Sequence, residues 1–160
     1  MATRLTHTMT YDAALADVGA MLDDPAFRAE VIEAQGGVRG TFEMETSGDV
    51  TTAVVDQVQP AEGLPSFAKK LVGSEINIVQ REEWTSESYA DLQVTIPGKP
   101  GQMVGSISLE ESGDTTTETV EVEITVNIPL VGGKVEKLIA DMLRKALRAE
   151  ERVARDYLSR

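Results

Sequence analysis

Apolar positions along this chain follow two periods. From Val135 onward they recur every three or four residues, at Val135, Leu138, Ile139, Met142, Ala146, Ala149, Val153 and Tyr157. That spacing sets them along one side of an α-helix. Lys137, Asp141, Arg144, Lys145, Arg148, Glu151, Arg152 and Arg155 fall on the other sides. A helix over 133–158 would run about 39 Å at about 1.5 Å per residue, long enough to span a sheet. Just upstream the period is two: Val120, Val122, Ile124, Val126 and Ile128 alternate with Thr119, Glu121, Glu123, Thr125 and Asn127. This predicts a strand over 116–128 with one dry and one wet face.

The rest of the chain divides in the same way. Residues 4–10 alternate, with Leu5, His7 and Met9 on one side. Asp12 is a candidate N-cap for a helix over 13–22, whose stripe is Leu15, Val18, Met21 and Leu22. Asp23-Asp24-Pro25 starts a second short helix up to Gln35, with Phe27, Val31 and Ile32 as its stripe, and Gly36-Gly37 stops it. Val38, Phe42 and Met44 then alternate with Arg39, Thr41, Glu43 and Glu45. Further strands are predicted over 50–58, 76–85, 89–96 and 103–110, with a turn or two of helix over 66–71 and loops at 59–65 and 97–101. Connections this short imply an antiparallel meander. The expected architecture is a single α+β domain over 1–160. It has a curved seven-stranded antiparallel sheet around a long C-terminal helix, with two short helices between strands 1 and 2.

Charge narrows the partners. The net charge of −12 disfavours nucleic acid and anionic membrane surfaces. The basic residues of the last helix are expected to offset its macrodipole and to pair with Asp141, Glu150 and Glu151. There is no cysteine, which excludes thiolate chemistry and cysteine–zinc sites and fits a cytoplasmic setting. No run approaches the ~18 apolar residues of a membrane span. Residues 1–7 lack the apolar segment of a secretion signal, so no stable membrane insertion is expected.

Three stretches carry a family resemblance: Leu64-Pro65, the Gly73-x-x-Ile76-x-Ile78-Val79 run ending in Glu83-Trp84, and 128–136, reading Ile-Pro-Leu-Val-Gly-Gly-Lys-Val-Glu. Together with the element order they resemble an uncharacterised, mainly actinobacterial family of the START-like superfamily, the helix-grip proteins that include birch-pollen-allergen-type carriers and polyketide cyclases. The resemblance implies a cavity between sheet and helix. It brings no ligand and no catalytic residues. Independently of it, Gly132-Gly133 is expected to let the backbone turn sharply into the helix, with Pro129 ending sheet pairing.

Candidate chemistry is sparse. His7, the only histidine, has no nucleophile motif beside it. The acidic residues form no metal-binding pattern, so neither a metal nor a cofactor is expected. Gln80 and Glu82 share a strand side with Ile76, Ile78 and Trp84; if that side faces a cavity, burial would raise the carboxyl pKa and make Glu82 an acid or an orienting group. A strand bulge would instead leave Glu82 in water. Met44, Met103 and Met142 fall on inward positions, as core filling or as an adaptable wall. By face parity the expected ligand-binding residues are Phe42, Gln80, Glu82, Trp84, Leu92, Met103, Met142 and Ala146. Three functions fit: binding of a small hydrophobic ligand such as a lipid or polyketide, a cyclase- or hydrolase-type enzyme using Glu82 or His7, or a protein-interaction module with a collapsed cavity. The sequence names no protein partner.

Overall fold

The computed structural model describes residues 2–160; Met1 lies outside them. The chain opens with β1 (Thr3–Tyr11), α1 (Leu15–Leu22) and α2 (Pro25–Ala34), then β2 (Arg39–Ser47), β3 (Val50–Pro60) and the short α3 (Ser66–Val72). It continues through β4 (Glu75–Ser86), β5 (Tyr89–Thr95), β6 (Gln102–Ser112) and β7 (Thr115–Thr125) to α4 (Gly132–Leu158). The strands form one sheet in the order β1-β7-β6-β5-β4-β3-β2. Strands β2 to β7 are the expected meander, and β1 joins it antiparallel to β7. Helix α4 packs against β1 and α2.

Local chemistry explains the boundaries. Pro25 opens α2, and the Asp24 carboxylate accepts from the Ala26 N–H at 2.9 Å. Asp12 does not cap α1. Ala14 holds that position without a side-chain bond, and the Leu15 N–H donates instead to Glu111 Oε2 of β6 at 2.7 Å. An orphan helix donor is thus satisfied from across the fold. β7 stops at Thr125, three residues short of the alternating pattern, because the Val126 N–H donates to Glu136 Oε2 in the first turns of α4 at 2.9 Å. The sharp turn before α4 also differs from expectation. Leu130, fully exposed, takes the left-handed conformation at φ 72°. Gly132 is required by close approach, since a Cβ there would sit 2.3 Å from the Val126 carbonyl oxygen.

β2 is the sheet edge farthest from β1, and Met44 on it and Val38 just before it are exposed. Met44 pairs through Ala53 with Glu82, so it lies on the inner face as its parity suggested, but it is exposed there because it sits on the edge strand, of which α2 covers only part. Near the middle of the sheet, a Cβ on Gly105 would fall 1.7 Å from the Glu121 carbonyl oxygen. Only glycine fits where β6 and β7 approach this closely. Because Gly105 pairs with Leu92 and Val122, the inner face lacks a side chain at that point. The dense core lies at the β1 end, where Met9, Tyr11, Val18, Met21, Phe27 and Ala154 are buried. Each large apolar side chain there contributes about 1.5–3 kcal/mol. Toward its N-terminal half, α4 is only half-buried at Leu138, Ile139, Met142 and Ala146. Empty space lies opposite these residues.

Candidate functional site

That space is a cavity of about 730 Å³ between the inner face of the sheet and α4. Ile78, Leu92, Val94, Met103 and Val122 line it from the sheet, and Leu138, Met142 and Ala146 from the helix. The interior is open, so the collapsed-cavity expectation is not met. Of the residues expected to bind ligand, Gln80, Glu82, Leu92, Met103, Met142 and Ala146 are on its wall. Phe42 and Trp84 are not. The Phe42 ring lies behind the wall, 4.9 Å from the guanidinium carbon of Arg28. Trp84 ends its regular pairing at a β-bulge before Ser86, and its indole turns back to donate to Glu82 Oε1 at 3.0 Å.

Glu82 is the centre of the first polar cluster and is 2% exposed. Parity holds through β4, so this carboxylate points inward, and it meets Arg28 of α2 in a two-pronged ion pair with both N···O distances 2.9 Å. The Arg28 Nε–H donates to the Leu22 carbonyl at 2.7 Å, and Gln80 Nε2 donates to Glu82 Oε2 at 2.6 Å. Glu82 thus accepts four hydrogen bonds. Burial pushes its pKa up, but the Arg28 charge and the bonds from Arg28, Trp84 and Gln80 outweigh burial and hold it below the usual value. The expected rise is therefore reversed, and Glu82 is an ionised anchor with no proton to give.

The second cluster contains the acids. Glu118 of β7 and Glu150 of α4 also line the cavity and are buried. Burial raises Glu118 well above the ordinary carboxylate range, the charges of Glu150 and Glu82 add to this, and Arg28 and the Tyr11 hydroxyl oppose it. Burial lifts Glu150 to about 7 against the opposing charge of Arg28. Glu118 Oε1 has no hydrogen-bond partner among the described residues. The Tyr11 hydroxyl donates to Met9 Sδ at 3.3 Å. Burial, followed by the neighbouring Glu118, keeps its own pKa well above normal. Glu150 does not join the surface pairs of α4 as expected. Those pairs are Arg144–Asp141 at 3.0 Å and Arg155–Glu151 at 2.7 Å, because Glu150 faces the interior. His7 is half-buried beside β7, with Nε2 3.6 Å from Glu151 Oε1, and is not on the cavity wall.

Arg28, Glu118 and Glu150 were not among the sequence candidates, yet each left a signal. Arg28 precedes Val31 and Ile32 by three and four residues, which puts it on the buried stripe of α2. Glu118 lies two before Val120, so the dry-face alternation already included it. Glu150 follows Ala146 by four. Among the described residues, no group of three or more acids and histidines is placed to hold a metal ion.

A curved antiparallel sheet closed over a long C-terminal helix, with a cavity between them, is the helix-grip fold seen in START-like proteins. Within it, the chain belongs to the family described as "Protein of unknown function (DUF2505)", whose model matches residues 6–158. Solved structures share the fold. The Zhui aromatase/cyclase from Streptomyces sp. R1128 is 12% identical with TM-score 0.65, over 100% of this chain and 95% of that one. Norcoclaurine synthase from Thalictrum flavum is 16% identical with TM-score 0.64, over 100% and 88%. A START superfamily protein from Mycobacterium smegmatis is 15% identical with TM-score 0.58, over 94% and 96%. No curated protein matches the chain at a significant level.

Proposed function

We propose that this protein binds a small, largely hydrophobic molecule, such as a lipid or polyketide, in the cavity between the sheet and α4. One observation carries the reading: a cavity of about 730 Å³ with apolar walls and a small set of polar groups at its buried end. Small-molecule sites typically run about 300–1,000 Å³ with this division of surface. Leu92, Met103, Met142 and Ala146 would desolvate the apolar body of the ligand, and Gln80 beside the fixed Glu82 would orient its polar end. Methionine suits a wall that must adapt. The lack of cysteine agrees with a cytoplasmic setting. A second reading, catalysis in the same cavity, is favoured by Glu150, lifted to about 7 and so suited to acid–base work near neutrality, and by Glu118, which burial keeps protonated well above the ordinary carboxylate range. Fold neighbours named aromatase/cyclase and norcoclaurine synthase keep that reading open.

Ala146→Trp tests the site. An indole at this half-buried wall position fills empty space, so stability should change by about 1 kcal/mol or less, below the cost of overpacking a dense core. Ligand binding should be lost. The parent should gain about 2.7 kcal/mol of stability at a free ligand concentration 100 times Kd, read as a melting shift across fatty acids, sterols and polyketides, and native mass spectrometry should find a co-purified ligand. An Ala146→Trp protein that unfolds, together with no melting shift for any of these compounds, would refute the reading.

A further inference from the structure

We propose that the polar end of the ligand is a cation: the buried end of the cavity is built to take a primary ammonium group on an apolar tail, between Glu118 and Glu150. This rests on the cavity being a binding site, and goes on to name the chemistry of the head group. Four ionisable side chains line the buried end: Arg28, Glu82, Glu118 and Glu150. Three are acids and one is a base, and the base is already engaged. Arg28 spends its Nε–H on Leu22 and both terminal nitrogens on Glu82. Glu82 is in turn saturated by Arg28, Gln80 and Trp84.

That leaves Glu118 and Glu150. Glu118 Oε1 is buried without a partner; the Tyr11 hydroxyl beside it donates to Met9 Sδ and only partly offsets the burial of the carboxyl. Glu150 lines the cavity, while the arginines near it in sequence, Arg148 and Arg152, are exposed at the rim with Lys99 and Lys145. Those rim cations stand in water and are screened there. The groups that face Glu118 are Tyr11 from β1, Glu82 from β4, Arg28 from α2 and Glu150 from α4, so apart from the committed Arg28 none supplies positive charge.

An anionic head group would meet two acids and a guanidinium whose charge is already balanced by Glu82. A neutral hydroxyl would satisfy a single lone pair. An ammonium brings three donors and a charge, and it turns a costly pair of buried carboxyls into an ion pair with hydrogen bonds. Ionising those carboxyls to receive it releases protons, so binding should strengthen as pH rises through neutrality while the amine stays charged.

The test compares decylamine, decanol and decanoate by calorimetry on the intact chain at neutral pH. Decylamine should bind at least about tenfold more tightly than decanol, the scale of a charged hydrogen bond. Decanoate should bind more weakly than decanol. The amine's binding enthalpy should vary with buffer, reporting released protons. Glu118→Gln, and separately Glu150→Gln, should bring decylamine down to the affinity of decanol and leave decanol unchanged. Both variants should melt at or above the parent temperature. Decanol or decanoate binding as tightly as decylamine, or an amine preference that survives both substitutions, would overturn the ammonium site and leave the hydrophobic-ligand reading standing. If none of the three binds, both readings fall.

Discussion

The β4 and β7 sides of the cavity floor each bury a glutamate, and the two behave in opposite ways. Glu82 and Glu118 are both 2% exposed and both point inward. Glu82 is held below its ordinary pKa and Glu118 well above it. Burial acts upward on both, so the difference lies in partners. Glu82 has a two-pronged arginine, an amide and an indole, whereas Glu118 has a second acid nearby and a bare oxygen. A buried carboxylate with a complete set of donors is architecture. One left short of donors holds interaction free energy in reserve, and that reserve is the physical basis for assigning it a ligand.

Removing the partner is the strongest way to break the contrast. Arg28→Met leaves Glu82 charged, buried and unpaired, and should cost about 3–5 kcal/mol in urea melts. Adding Glu82→Gln should return about half of that, because a neutral amide still accepts from Trp84 without a charge to compensate. A single variant that melts like the parent would mean the pair is not what sets Glu82 apart. On the other side the sign reverses. Glu118→Leu removes the unpartnered buried oxygen itself and should stabilise the ligand-free protein by about 1–3 kcal/mol; a loss of that size would show that Glu118 is already satisfied.

A further effect is on pH dependence. Glu150, at about 7 in the folded chain against an ordinary 4.5, binds a proton more tightly folded than unfolded. Its contribution is full below about 4.5 and is lost as pH rises toward 7. Glu82 contributes in the opposite sense, present above its ordinary value and lost as pH falls below it. The melting temperature should therefore fall from weakly acidic pH to about neutrality, with the Glu150 contribution levelling off above it, and Glu150→Gln should flatten that slope. A slope unchanged by the substitution would place the titrating group elsewhere.

The sheet and α4 were legible because their periods are long and uninterrupted: the β7 alternation and the α4 stripe each fix a face over many residues. The inward direction of Gln80 and Glu82 followed from the same parity. Parity could not show what lies opposite. Arg28 is 54 residues from Glu82 in the chain, and only the packing of α2 on the sheet reveals that the carboxylate is neutralised. Phe42 shows the same limit, since its inward parity is cancelled by α2 and Arg28 standing between it and the cavity. Glu118 and Glu150 failed for another reason. The apolar run that marks the dry face of β7 begins only at Val120, and Glu150 reads as one more partner for the basic surface of α4, although both acids stand at the spacing of the buried set.

A row of amides runs along one side of the cavity. Gln59 donates to Gln57 at 3.0 Å, Gln57 to Gln35 at 3.1 Å, and Gln35 to the Ala146 carbonyl of α4 at 3.0 Å. All four residues border the cavity, so this seam joins β3 to α2 and α2 to the helix. Amide-to-amide bonds of this kind exchange with water at a net cost of only about 0.5–1.5 kcal/mol each. The seam can therefore unzip by side-chain rotation while every helix and strand stays folded. Guest molecules would enter and leave on the timescale of small helix displacements, microseconds to milliseconds, rather than waiting for α4 to detach. Replacing Gln35 with Leu should change the rates of ligand uptake and release in stopped-flow traces far more than it changes melting temperature. Equal effects on both would mean that the seam is part of the frame rather than a door.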